Sequence, residues 1–208
     1  MRTLVIDCAT EACSVALFEG AALMDGAYRL LGRGHAEQLV PMIAALPERG
    51  RAERIVVSRG PGSFTGVRIG LAAARALALA WQAELAGYPT LALVAAMALE
   101  QTGAEDVTVA MNGGHGEWFV QEFGADGLPA GALASLPPGG AAASDLVAGT
   151  QAEAMVAARG YGTALPLHPD ARRFPVLASS LVTADLTPLY GRPPDARLPA
   201  TPSSGASA

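Results

Sequence analysis

Lysine is missing from this chain: all 14 basic residues are arginines. That excludes Schiff-base chemistry and any phosphate loop built on a lysine. Histidine occurs at only three places, His35, His115 and His168, no two of them four residues apart on a helix. HExxH, CxxC and GxSxG are all absent, so the sequence marks neither a zinc site nor a nucleophile elbow. The two cysteines, Cys8 and Cys13, stand close to the start with no secretory pattern ahead of them. They read as reduced, buried residues of a cytoplasmic chain. Aromatic residues make up 5% and charged residues 16%, with a net charge of −5. A chain of that balance has no overall basic field for nucleic acid. No run is expected to reach the length of a membrane span, the best candidate being interrupted by Arg75.

What is present is apolar. At 51% hydrophobic over 208 residues, the chain can bury a core in one large domain or two small ones. RTLVID, CSVALFEG and AALMDGAYRL read as a β-meander. From His35 to Leu46, the residues Leu39, Met42, Ile43 and Leu46 lie on one helical face, with Pro41 inside the pattern. RIVVS reads as a buried strand, RGPGS as a loop, Phe64 to Gln82 as a helix, ELAGY as a strand and Pro89 to Glu100 as a helix. That order predicts an α/β domain with a mixed sheet. VTVAM and EWFVQEF read as strands around an NGGHG turn, AEAMVAARG as a further strand and FPVLASSLVTADL as a short helix. A boundary near Gly103 divides the chain into residues 1–102 and 103–197, followed by a disordered tail, 198–208. No short-period repeat is visible.

The helix from Phe64 to Trp81 carries two apolar seams. Phe64, Val67, Leu71, Ala74, Ala78 and Trp81 make the first; Gly66, Gly70, Ala73, Leu77 and Ala80 make a second, of mostly small residues. A helix apolar on two faces is buried on two sides. Two interior glycines cost roughly 1 kcal/mol each relative to alanine, and close packing against another helix, within the chain or from a partner, would offset that. The Gly60–Ser63 loop reads as a tight turn whose amides also suit an anion. In the N-terminal hairpin, Asp7 ends a strand, with Thr10 and Ser14 near the turn. Such hydroxyls and amides suit phosphate and such a carboxylate suits hydrated magnesium; the alternative is a plain hairpin.

The blocks IDCATEACSVALFEG, RGHAEQLVPMI and VVSRGPGSFTGVRIGLAAARALALA occur in an order that resembles the TsaB (YeaZ) family, and PLYGRPPDARLP near the end fits it too. The resemblance implies two actin-like (ASKHA, ribonuclease H-like) lobes with mixed sheets flanked by helices. It implies a non-catalytic partner that binds and activates the TsaD transferase in threonylcarbamoyl modification of the adenosine beside the tRNA anticodon. It further implies that TsaE joins a ternary complex, that tRNA is met through the complex and that no membrane is involved; alone, the chain is expected to form a homodimer. No cofactor is required by this chain, with ATP or ADP expected at the complex interface and Asp7, Thr10 and Ser14 as the nucleotide-facing residues. TsaD carries an HxxxH metal pair where this chain reads GYPTLALVAAM, so no metal site is implied. The family dimerises through helices of the first lobe, which makes His35, Leu39, Met42, Ile43, Leu46, Gly66, Gly70, Ala73 and Leu77 the expected partner-binding residues. The chain departs from the family where NGGHGEWF replaces a segment close to DARRGEVY: Asn112 stands for Asp and Gly114 for Arg. Two enzyme readings compete: an actin-like ATPase or phosphotransferase using the Asp7 hairpin, and a metal-dependent glycoprotease.

Overall fold

The computed structural model describes residues 1–138 and 144–191; the expected tail, 198–208, lies outside them. Alternation of apolar residues explains the first sheet. In β1 (Arg2–Asp7), Leu4 and Ile6 point to one face and Val5 to the other, as the two-residue period of a strand requires. The same alternation separates Val15 and Leu17 from Ala16 and Phe18 in β2 (Ala12–Glu19), and Ile55 and Val57 from Val56 in β4 (Arg54–Ser58). With the exposed edge strand β3 (Ala22–Leu30) and with β5 (Glu84–Tyr88), these form a sheet of order β3-β2-β1-β4-β5. β1 pairs antiparallel with β2 and parallel with β4, and β5 continues parallel.

The second sheet has the order β10-β9-β6-β7-β8. Its strands are β6 (Asp106–Gly114), β7 (Glu117–Gly124), β8 (Ala134–Leu136), β9 (Leu146–Ala148) and β10 (Thr163–Leu165). β6 pairs antiparallel with β7 and parallel with β9. Numbered from β6, this is the strand order and direction of the first sheet over again. The duplication is topological, and no repeat of residues announces it. The β6–β7 turn is His115-Gly116, both with positive φ (54° and 79°), the conformation a two-residue hairpin demands.

Helices divide the core into layers. α1 (His35–Ala44) and α2 (Phe64–Trp81) cover the Leu4/Ile6 face of the first sheet. α3 (Thr90–Thr102) lies between the sheets, with Leu91, Leu93, Val94 and Ala95 fully buried against Val5, Val56, Val107 and Val109. α4 (Ala152–Arg159) packs Ala152 and Met155 on the outer face of the second sheet, against Ala110, Trp118 and Val147.

Four expectations are corrected. AEAMVAARG forms α4 rather than a strand: its buried residues are three apart, and Gly160 ends it in a left-handed cap (φ 78°). FPVLASSLVTADL is not one helix. Two short 3-10 segments, Ala171–Val176 and Ser179–Leu181, flank an extended break at Leu177 and Ala178, whose ψ angles of 134° and 123° are those of a strand and not of a helix. α1 stops at Ala44; Leu46 lies past its end, before Pro47, yet stays buried. And α2 is long and apolar enough to cross a membrane by length and composition alone, although here its inner face is laid on the sheet.

Candidate functional site: an interlobe cleft and an outward helical face

A cleft of about 800 Å3 opens between the two sheets' ends. One wall is the β1–β2 turn, Ala9–Glu11, with Gly62, Ser63 and the first turn of α2. The other is the β6–β7 turn and Thr150, and the chain returning through Leu189–Gly191 closes one side. Phe64, Arg68 and Tyr190 form a stacked group on the rim. The Arg68 guanidinium lies 3.6 Å over the Phe64 ring, and Phe64 and Tyr190 have centroids 5.7 Å apart. Asn112 Nδ2 donates across the cleft to Glu11 Oε1 at 3.4 Å, and Gly114 N donates to Asn112 Oδ1. The NGGHGEWF departure therefore falls in the cleft wall, with Asn112 bridging the lobes.

The three residues expected to face a nucleotide separate. Thr10 borders the cleft, its Oγ1 accepting from Ala12 N at 3.1 Å. Asp7 does not border it. It is fully buried, with Oδ1 accepting from Ala9 N at 2.9 Å and Oδ2 from the Tyr88 hydroxyl at 2.8 Å. Burial pushes its carboxyl up to about 6, against the Ala9 and Tyr88 hydrogen bonds, which favour the charged form. Burial, with the Asp7 charge beside it, holds the Tyr88 phenol well above its ordinary range. A carboxylate closed in this way presents no surface to a hydrated cation. Ser14 is likewise turned inward, its Oγ accepting from Ala171 N at 2.9 Å and tying the returning chain to β2. Among the described residues, no group of three or more His, Cys, Asp or Glu lies close enough to hold a metal.

The residues expected to meet a partner also divide. Leu39, Met42, Ile43 and Leu46 are 1% to 5% exposed and packed in the chain's own core. His35 is buried too, its Nε2–H donating to the Thr10 carbonyl at 2.8 Å. Gly66 and Gly70 face the sheet. A Cβ on Gly66 would stand 2.0 Å from the Cys8 carbonyl oxygen, and one on Gly62 2.0 Å from that of Ala9. The small seam of α2 thus serves contact with β1 and its following turn, which explains why glycine stands there. Ala73 and Leu77 are half-buried at the margin. What faces away from the sheet is a different set: Ala36, Val40 and Ala44 on α1, with Ala72, Ala76 and Leu79 on α2, joined by Ala80, which was expected in the small seam. Val40 is 57% exposed and Leu79 84%. Arg68 and Arg75 flank this face, and Arg75 also donates to the Leu186 carbonyl. The signal was available: Ala72, Ala76 and Leu79 repeat at helical spacing on the arc that holds both arginines.

Two mixed sheets of one strand order, sharing a buried helix and parted by a cleft, define a two-lobed actin-like protein. The comparisons agree. YeaZ from Pseudomonas aeruginosa superposes with a TM-score of 0.77 at 32% identity, covering 91% of this chain and 99% of that one. The TsaB biosynthesis protein of tRNA threonylcarbamoyladenosine from Escherichia coli (strain K12) is 38% identical over 131 residues, 61% of this chain and 56% of that protein. The chain thus spans little more than half the length of that curated relative. A family described as "TsaD: tRNA N6-adenosine threonylcarbamoyltransferase" matches residues 29–127. The ethanolamine utilization protein EutJ from Carboxydothermus hydrogenoformans, at 13% identity and a TM-score of 0.51 over 86% of this chain and 90% of its own, shares the fold alone. The chain belongs to the TsaB (YeaZ) family.

Proposed function

We propose that this chain is a non-catalytic partner that binds and activates a TsaD-type transferase, in the formation of threonylcarbamoyladenosine beside the tRNA anticodon. The observation that carries this reading is the outward face of α1 and α2. Two adjacent helices of one lobe present Val40, Leu79 and a row of alanines to solvent. Small residues on both helices let a second helix pair come close, as in a four-helix interface. The family match over residues 29–127, the stretch that includes both helices, supports a transferase of like fold as the partner. A transferase built on the same helices can meet this chain across an approximate two-fold axis, in the way that identical subunits do. Two copies of this chain would use the same surface when the transferase is absent, and a small ATPase of the TsaE type would join the pair rather than displace it.

The test is reconstitution on unmodified tRNA with the transferase, its ATPase and the enzyme that makes threonylcarbamoyl-adenylate, with and without this chain. Modified nucleoside is expected only when the chain is present. Equal modification without it would overturn the reading. The cleft favours a second role, ATP or ADP held where the complex closes; equilibrium dialysis of labelled nucleotide against the chain, the transferase and the complex separates the three locations.

A further inference from the structure

We propose that Cys8 and Cys13 are a redox pair that closes to an intramolecular disulfide when the protein meets a hydroperoxide. The two sulfurs already touch: Sγ to Sγ is 3.4 Å. The β1–β2 ladder pairs Ile6 with Val15 and Asp7 with Ser14, so Cys8 and Cys13 are the next two residues opposite each other beyond its last rung. Directly opposed residues of antiparallel strands have Cα atoms about 4.5 to 5.5 Å apart, inside the range a disulfide spans. Closing the bond brings the sulfurs to about 2.05 Å, which rotation about the two Cα–Cβ bonds and a tightening of the turn can supply. Both are free thiols and both are buried, so a peroxide reaches them only as the β1–β2 turn opens toward the cleft that Ala9, Thr10 and Glu11 line.

The chemistry balances with the peroxide as oxidant. Cys13 attacks first: contact with the Cys8 thiol favours the charged form of Cys13, and the same contact, with burial, keeps Cys8 protonated. The Cys13 sulfur bonds to the terminal peroxide oxygen, the O–O bond breaks with loss of water from hydrogen peroxide or of an alcohol from an organic hydroperoxide, and Cys13 becomes a sulfenic acid. Cys8 then attacks the Cys13 sulfur, the S–S bond forms as the S–O bond breaks, and the hydroxyl leaves with the Cys8 proton as water. Two electrons pass from the sulfur pair to the peroxide, and a dithiol reductant reverses the step.

The position gives the bond a structural consequence. The Cys8 carbonyl is the atom against which Gly66 is packed, Ser63 N donates to the Ala9 carbonyl at 2.7 Å, and His35 donates to that of Thr10. One short turn therefore seats the first residues of both α1 and α2, and the disulfide would shorten that turn across its base.

The experiment uses the full chain, reduced, desalted and treated with stoichiometric hydrogen peroxide, then quenched in acid, unfolded, alkylated and weighed intact. Because these are the only cysteines of the chain, the product can be assigned without mapping. A species lighter by two hydrogens, taking up no alkyl group and regaining both sites after dithiothreitol, is the expected result. Cys13→Ala, treated identically, should yield none of it. Two alkylatable thiols after treatment, oxygen-bearing sulfinic products as the main species, or disulfide-linked dimers in place of the intramolecular product would each overturn the proposal.

Discussion

The hydroxyl of Tyr88 donates to Oδ2 of Asp7 at 2.8 Å, joining the end of β5 to the end of β1 in a place that solvent does not reach. The carboxyl so enclosed titrates at about 6 rather than near its ordinary 3.8, chiefly because burial penalises the charge. The folded state therefore binds the proton more tightly than the unfolded chain does, and this group's contribution to stability is greatest below about 4 and is lost as pH rises to about 6. At about 1.4 kcal/mol per pH unit, the displacement is worth roughly 3 kcal/mol. Asp7→Asn keeps an oxygen for Ala9 N and has no proton to lose. Urea denaturation from pH 4.5 to 7.5 should show the native chain losing stability relative to Asp7→Asn up to about pH 6 and levelling off above it. Parallel curves for the two proteins would refute the assignment.

Tyr88→Phe tests the other half of the pair. The ring stays, so packing against Phe174 (centroids 5.7 Å apart) is retained, while Oδ2 of Asp7 loses a donor. An unmet buried acceptor costs about 1–3 kcal/mol, more when it is charged. The loss should be larger at pH 7.5 than at pH 5, and the pH-dependent window should move upward. A loss equal at both pH values would place the tyrosine's importance in its ring alone.

Gly66 and Gly70 look alike in sequence and should behave oppositely. An alanine Cβ at 66 would meet the Cys8 carbonyl oxygen at 2.0 Å, and backbone cannot yield as a side chain tip can. Gly66→Ala should cost about 3 kcal/mol or more. At 70 the nearest atoms, Val57 Cγ2 and Cys8 Cβ, are 3.5 and 3.6 Å away, ordinary contact distances, and alanine is favoured over glycine in a helix by about 1 kcal/mol. Gly70→Ala should be neutral or stabilising in thermal unfolding, whereas Gly70→Leu should break the fold through Val57 and Ile6. Equal effects of the two alanine changes would contradict the sheet-facing geometry.

Much of the first lobe was legible because its strands are long enough to show a period. Leu4, Ile6 and Val5 sort themselves to two faces on sequence alone, and so do Leu39, Met42 and Ile43 on α1. The second lobe resisted: β8, β9 and β10 are three residues each, too short for alternation to appear, and the shared strand order lies in pairing rather than in residue type. The family motifs identified the chain but not the roles within it. Asp7 looked like a metal ligand because nothing near it in sequence reveals Tyr88, which arrives from 81 residues away. The glycine seam of α2 showed that something packs closely there, and residue type cannot say whether that is a partner's helix or the chain's own β1.

The outward seam gives the sharpest separation between interface and core. Leu79 and Val40 are mostly exposed and lie outside the packed core, so Leu79→Glu and Val40→Glu leave the core intact, and surface changes of this kind alter stability by about 0.5 kcal/mol or less. If the seam is buried on association, each glutamate places a charge opposite an apolar partner surface, and calorimetric titration with the transferase should show at least a tenfold loss of affinity, about 1.4 kcal/mol. The double variant should also be monomeric by sedimentation, because a homodimer would use the same face. Leu39→Asp is the contrast: at 1% exposure in the core, it should unfold the chain before binding can be measured. Wild-type affinity in a folded Leu79→Glu/Val40→Glu double variant would remove α1 and α2 as the interface and direct attention to the rim of the cleft, where Phe64 and Tyr190 are also exposed beside Arg68.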